Sequence, residues 1–477
     1  MANCYGFNGN QTMWSSKIDL TAGLRYRAIA DAIRHATAQG DLRPGDPLPT
    51  HRALADQLGV TVGTVSRAYS LAADWGLVTA RVGAGTFVGR PAERKPTNPW
   101  VIGQTDSSID FGLLYPAALT DTSLRERCFD RSFNGLGRDL LHRAFSGYSP
   151  ELGEMSHRVS GAHWLCSAGI DTLPLEVFVS DGGQSAFMTL FSALLRPGAS
   201  VLVEELPYLG VKHLCAAMHL NLVAVGSDSE GMVPERLREC ARASGAQVMV
   251  VTPTLQNPTG ARMGRERRQR IVEVARDLNL SIIEDATFDR LYADTPEALV
   301  SLAPERTFHV ASFSKMVQPA MRVAFTKAPA DRMPLLESLR HSLNIGGPSL
   351  QAEIVSRWIQ TGLASELCQW QRGEVDRRWK LAAAMLPGFV AVDAIPAPFA
   401  WLTLPEGWRA SDFAGHLRQQ GVIVIDSHHF AVGRAIVPDA VRVSLTTPSS
   451  DQEFKHGLTV IRQLLNSDPR PSLVSYR

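Results

Sequence analysis

The feature that most constrains this chain is a repeated change of period between residues 176 and 325. Short apolar, β-branched runs (EVFVS, SVLVEE, LNLVAVG, QVMVVTP, LSIIED, TFHVASF) alternate with longer amphipathic stretches such as QSAFMTLFSALLRPG and RERRQRIVEVARDLN. A strand that is apolar on both faces belongs inside a covered sheet, and a helix between two such strands is the connection a parallel pair requires. The pattern predicts a large α/β domain around a mostly parallel central sheet, with its large lobe at about 155–345. From about residue 348 long helical stretches (SLQAEIVSRWIQ, EVDRRWKLAAAML) precede short strands and a further helix, which predicts a smaller α+β lobe at about 348–470.

A chain of 477 residues exceeds one compact core, so a further domain is expected ahead of this one. Residues 23–79 hold three helical segments (LRYRAIADAIRHATAQG, HRALADQLG, TVSRAYSLAADWG), each closed by glycine, and LVTARVGAGTFVG follows as a two-stranded hairpin. Three helices and a hairpin make a winged helix, placed at residues 1–89. Residues 90–108, rich in Pro, charge and small polar groups, read as a linker, and 109–477 as the large domain. Residues 1–95 carry 11 Lys and Arg against 7 Asp and Glu, so the front is mildly basic while the rest is mildly acidic. That asymmetry suits double-stranded DNA as a partner. In a helix-turn-helix the second helix, starting near Val62, enters the major groove, which makes Thr61, Thr64, Ser66 and Arg67 candidates for base edges. Arg52 suits phosphate or guanine, and the wing residues Arg81 and Thr86 suit the backbone or minor groove.

No apolar run is long enough to cross a bilayer, and the N-terminus lacks the order of a secretion signal, so a cytoplasmic location is expected. The six cysteines are scattered without metal-ligand spacing; no metal site and no disulfide framework is predicted. The front segment resembles the GntR family in Leu48-Pro49-Thr50-His51-Arg52, Leu58-Gly59-Val60-Thr61, Thr64-Val65, Ala68-Tyr69, Gly76-Leu77 and Gly83-Ala84-Gly85-Thr86-Phe87-Val88. Val62 and Gly63 stand where many members carry polar residues.

In the large domain ASFSKMVQPAMRVAF places Lys315 after a β-run, with Ser312 and Ser314 before it and Arg322 after it. A lysine can hold an aldehyde as a Schiff base, and two hydroxyls with a guanidinium suit a phosphate. VFVSDGGQSAF is a strand, a glycine turn and a helix start, so the N–H groups around Gly183 and Gln184 suit an anion. VTPTLQNPTGARM puts Asn257 in a turn after a strand, where its amide can donate to a phenolate; LSIIEDATFD puts Asp285 at a strand end, where a carboxylate can hold a proton on a pyridine nitrogen.

Together these pieces resemble the fold-type I pyridoxal-phosphate enzymes, specifically the class I/II aminotransferases, over about residues 109–465. The resemblance implies pyridoxal 5′-phosphate as cofactor, with Lys315 forming the internal aldimine, Asp285 on the pyridine nitrogen and Asn257 on the 3′ oxygen. Gly183, Gln184, Ser312, Ser314 and Arg322 would cradle the phosphate. Tyr208 would stack on the ring, Arg442 would clamp an α-carboxylate, and Tyr148 would reach the phosphate of a neighbouring subunit. After Asp285 the sequence reads Ala286, Thr287, Phe288 where the family carries a tyrosine that bonds the 3′ oxygen, which counts against efficient transamination.

The whole layout resembles the MocR/GabR-type bacterial regulators. It implies a homodimeric, pyridoxal-phosphate-dependent transcription regulator that senses the cofactor itself or its external aldimine with an amino compound. The alternative is a working aminotransferase with an appended DNA-binding domain.

Overall fold

A computed structural model describes residues 18, 25–43, 45–74, 77–81, 85–88, 108–133, 148–292, 294–343, 346–391, 394–433 and 437–467. It divides into two compact units, Met1–Ile102 and Gly103–Arg477.

The first unit holds helices Arg25–Gln39, His51–Leu58 and Val62–Asp74 and the antiparallel strands Val78–Arg81 and Gly85–Val88. Apolar side chains at helical spacing (Ile29, Ile33 and Ala36; Val65, Ala68, Tyr69 and Ala72) close on Leu42, Leu48, Leu54, Val78 and Val88. Each large aliphatic side chain so buried stabilises the unit by about 1.5–3 kcal/mol. Thr50 caps the second helix by accepting from the Ala53 amide at 3.2 Å, and Gly59 ends it in the left-handed region at φ 62°. The Tyr69 hydroxyl donates to Pro49 O at 2.8 Å, tying the third helix to the start of the second. The hairpin tip at Gly83 and Ala84 and the linker at 90–107 lie outside the described residues.

In the second unit one sheet runs in the order Val177–Ser180, Ala324–Lys327, Thr307–Ser312, Ser281–Asp285, Val248–Val251, Ser200–Glu204, Asn221–Val225. Every neighbouring pair is parallel except those made by Ala324–Lys327, which is antiparallel to both its neighbours. Alternation along the strands feeds two cores. Val201, Val203, Val248, Val250 and Ile283 pack with Ala186, Phe187, Leu190 and Phe191 of helix Gly182–Leu194. Leu202, Met249, Val251 and Ile282 pack with Leu237, Ile271 and Val274 from helices Pro234–Ser244 and Arg265–Asp277.

The smaller lobe has an antiparallel sheet in the order Phe399–Thr403, Ala440–Ser444, Ile425–Asp426, with helices Ser349–Gln360, Leu363–Met385, Ala410–Gln419 and Asp451–Leu465. Ile109–Asp110, the first described strand of the unit, pairs in parallel with Val422–Ile423, so the chain entering from the linker joins the smaller lobe. Among the described residues no helix is long and apolar enough to cross a membrane. Cys128, Cys166, Cys215, Cys240 and Cys368 are free thiols; Cys4 lies outside the described residues.

Candidate functional site

The carboxyl ends of the parallel strands gather the predicted residues, as open α/β sheets generally do. Thr307–Ser312 delivers Ser312, Ser314 and Lys315; Ser281–Asp285 ends on Asp285; the loops after Val248–Val251 and Ser200–Glu204 deliver Asn257 and Tyr208. Strand Ala440–Ser444 of the smaller lobe brings in Arg442.

The half-buried Lys315 Nζ donates to Leu114 O and lies 5.5 Å from the centre of the Tyr115 ring. Burial, then the positive charges of Arg442 and Arg322, push its ammonium down to about 8 against the opposing pull of Asp285. At pH 7 roughly one amine in ten is then neutral, against about one in three thousand for an ordinary lysine, so a nucleophilic lone pair is available.

Asp285 is buried, and burial holds its carboxyl above the usual range; Thr287 opposes this by donating twice to Oδ1, from Oγ1 at 2.6 Å and from its amide at 3.1 Å. Alternation turns the preceding Glu284 to the other side, where it accepts from His309 Nδ1 at 2.8 Å and from the amides of Leu299 and Val300 at 2.9 and 3.1 Å. Burial disfavours charge on His309, but Glu284 and Asp289 outweigh it and hold the imidazole above its usual range. The pair fastens the two strands whose ends carry Asp285 and Lys315.

Arg442 is only 4% exposed; Nη1 donates to Asn257 Oδ1 at 2.8 Å and Nη2 to Gly112 O, while its face lies 5.2 Å from the Phe430 ring. Burial pushes the guanidinium down to about 10. Its Nε has no hydrogen-bond partner among the described residues, nor do the buried Ser314 Oγ and Gln184 Oε1. Native interiors rarely leave such atoms unpaired, and Ser314 next to Lys315 in the chain and Arg442, whose charge acts on that lysine, mark a place for a polar ligand.

Helix Gly182–Leu194 starts beside Ser312 and Arg322. Gly182 has φ +78°, and a Cβ there would lie 3.1 Å from Arg322 Cζ, so glycine is what lets the guanidinium close on the helix start. Arg322 Nη2 donates to Asp181 O at 3.3 Å. The side-chain amide of Gln184 is engaged with Gly210 O at 2.7 Å, which leaves the helix-start N–H groups as the donors of that segment. A Cβ on Gly210 would sit 2.3 Å from the Tyr208 ring, so this glycine admits the ring. Burial, then Asp285, push the Tyr208 hydroxyl up to about 12, against Arg322 and Arg442.

Tyr148 is 96% exposed and is not part of this group. In the first unit Arg52, Ser66 and Arg67 are exposed and Thr86 half-buried, whereas the Arg81 side chain lies outside the described set. The Thr61 hydroxyl accepts from the Thr64 amide at 3.2 Å and pairs with the Thr64 hydroxyl at 2.9 Å, so it caps the third helix. Sequence reasoning missed the strap 110–117, which supplies Gly112 O and Leu114 O. Backbone carbonyls have no sequence signature; only Tyr115, an aromatic in a short uncharged stretch, offered a hint.

Known proteins resemble the chain in both parts. Residues 25–88 match the bacterial regulatory proteins of the gntR family, and residues 141–461 match aminotransferase class I and II. The chain is 28% identical to the HTH-type transcriptional regulator YdeF of Bacillus subtilis (strain 168) over 96% of its own length and 98% of YdeF. It is 28% identical to the vitamin B6 salvage pathway transcriptional repressor PtsJ of Salmonella typhimurium, covering 93% of this chain and 99% of PtsJ. With the pyridoxine biosynthesis regulator PdxR of Corynebacterium glutamicum identity is 27%, covering 70% and 72%. Among solved structures, an archaeal alanine:glyoxylate aminotransferase superposes with TM-score 0.67 at 20% identity, over 76% of this chain and 91% of that one. LysN, the α-aminoadipate aminotransferase of Thermus thermophilus, superposes with TM-score 0.66 at 22% identity, over 75% and 92%. The second unit therefore has the aminotransferase fold, and the chain belongs to the class I and II aminotransferase family with a gntR-family DNA-binding domain at its front.

Proposed function

We propose that this chain is a pyridoxal 5′-phosphate-dependent transcription regulator whose winged helix binds double-stranded DNA and whose aminotransferase-like unit senses the cofactor or an amino compound joined to it. The observation that carries the reading is the convergence of Lys315, Asp285, Asn257 and Arg442 in a chain whose full-length relatives are regulators. The unpaired Ser314 Oγ and Arg442 Nε and the Gly182 cradle fit a phosphorylated pyridoxal with a carboxylate beyond it.

When bound, the cofactor supplies a carbonyl for an amine and a ring that withdraws electrons. Lys315 offers the neutral amine, Asp285 holds a proton at the ring nitrogen, and Asn257 donates its amide N–H to the 3′ oxygen while its Oδ1 steadies Arg442. Gly183, Gln184, Ser312, Ser314 and Arg322 hold the phosphate, Tyr208 covers the ring, and Arg442 binds the carboxylate of the amino compound. In the second unit alone Leu114 O holds Lys315 and Gly112 O holds Arg442. A ligand that takes both side chains competes with one strap, and that strap follows the linker directly in sequence. Effector binding then differs between two arrangements of the strap, which is what regulation requires.

Arg52, Thr61, Thr64, Ser66, Arg67, Arg81 and Thr86 form the DNA-contacting set, and the exposed Tyr148 serves a phosphate site across a homodimer in the cytoplasm. The second reading, an active aminotransferase, draws on the readily neutralised Lys315. Against it stand Ala286, Thr287 and Phe288, none of which brings a phenol to the 3′ oxygen. The test is a DNA-binding isotherm on fragments from upstream of the protein's own gene, with and without pyridoxal phosphate and amino acids. Affinity that changes with ligand in the wild type but not in Lys315→Ala supports the regulator; equal responses in both refute it.

A further inference from the structure

We infer that Thr287 is a positioning residue for the cofactor, acting through Asp285 rather than on the cofactor itself. The inference rests on the pyridoxal-phosphate reading of the site. Both donors of Thr287, its hydroxyl at 2.6 Å and its amide at 3.1 Å, fall on the same carboxylate oxygen, Oδ1. That pair of bonds fixes the plane of the carboxylate and makes Oδ2 the oxygen for a ring N–H. A threonine hydroxyl has one proton, and here it is directed to Asp285, so it does not replace a phenol at the 3′ oxygen. Where the family pattern brings a phenol to the cofactor, the residues after Asp285 here include one that holds the carboxylate instead.

The surroundings make such a device necessary. Asp285 is buried, and Asp289 adds negative charge near it, while His309 and Lys315 add positive charge; the buried Glu204 is itself pushed up to about 8, and Tyr208 is pushed up in part by Asp285. Burial, and then Asp289, favour a neutral Asp285, which could not keep a proton on a pyridine nitrogen. Hydrogen bonds to the ionised form oppose this, and Thr287 provides two. Its side chain also lines a cavity of about 20 Å³ with Trp164, Asp289, His309 and Ser312, so removing the hydroxyl without changing volume disturbs little packing.

The test is pyridoxal-phosphate affinity against pH, read by the absorption of the bound cofactor, for the full-length wild type, Thr287→Val and Thr287→Ser. Valine keeps the volume and the amide donor; serine keeps the hydroxyl. In Thr287→Val the affinity should fall about tenfold near neutral pH, and its loss on acidification should begin about one pH unit higher than in the wild type. Thr287→Ser should follow the wild type within about twofold, and circular dichroism should be the same for all three. A Thr287→Val profile that coincides with the wild type, or a loss of affinity uniform in pH and shared by Thr287→Ser, overturns the role of Thr287. A wild type that gives no bound-cofactor absorption at any pH overturns the cofactor reading itself, a separate result.

Discussion

Replacing Arg442 by Met should greatly weaken the response to amino compounds and leave the fold and the cofactor in place. Two opposing effects on stability can be read from the site. The guanidinium is lowered from 12.5 to about 10 by burial, so at pH 7, below both values, its charge costs about 3 kcal/mol in the folded state. Removing it relieves that cost but strands two acceptors, Asn257 Oδ1 and Gly112 O, at about 1–3 kcal/mol each. The terms nearly cancel, and a methionine fills the volume beside Phe430. Melting of the variant should fall within about 5 °C of the wild type. Effector binding loses a bidentate charged contact in a dry site, about 2–4 kcal/mol, so the midpoint of an amino-compound titration of the cofactor-loaded protein should rise by roughly 30- to 1000-fold. An unchanged midpoint, with cofactor absorption retained, would refute the assignment of Arg442.

Other consequences follow from particular contacts. Gly182→Ala, which forces a side chain into φ +78° and against Arg322, should weaken pyridoxal-phosphate binding at least about tenfold while circular dichroism stays unchanged. Because the neutral amine is the reacting form and Lys315 titrates at about 8, cofactor capture measured by stopped-flow absorbance should accelerate from about pH 6.5 to 8 and level off above about 9. Arg67→Ala should weaken DNA binding and reduce its salt dependence by about one unit of slope if the residue meets a phosphate; an unchanged isotherm would remove it from the interface. Thr61→Ala, which deletes the cap of the third helix, should cost about 0.5–2 kcal/mol in thermal unfolding of the front unit.

The sheet was legible because its strands are continuous apolar runs punctuated by glycine turns and charged helices: LSIIED became Ser281–Asp285 and TFHVASF became Thr307–Ser312. The antiparallel Ala324–Lys327 was not, since VAFTK carries no sign of direction. Helix Leu363–Met385 runs through Gly373, although only its second half reads as helical in sequence; Gly373 faces open space and tolerates helical backbone. In the site, side chains with a chemistry of their own, Lys315, Asp285, Asn257 and Arg442, were found by type and order. What stayed hidden depends on partners far away in sequence or on backbone atoms. Leu114 O meets Lys315 across 201 residues, and Gly112 O meets Arg442 across 330. Gln184 was expected among the phosphate ligands, but the sequence could not reveal that its amide is directed to Gly210 O. Nor could the sequence reveal that the Thr61 hydroxyl, expected at the DNA, also caps the third helix.

The absorption spectrum of the purified full-length protein, titrated with pyridoxal phosphate, then a panel of amino acids, then a keto acid, tests the central claim most directly. We expect a lysine-bound cofactor band that is absent in Lys315→Ala, that shifts reversibly with one class of amino compound, and that shows no sustained turnover. A band that cycles with keto acid through many turnovers would make the protein an aminotransferase, and no band at all would contradict the assignment of Lys315.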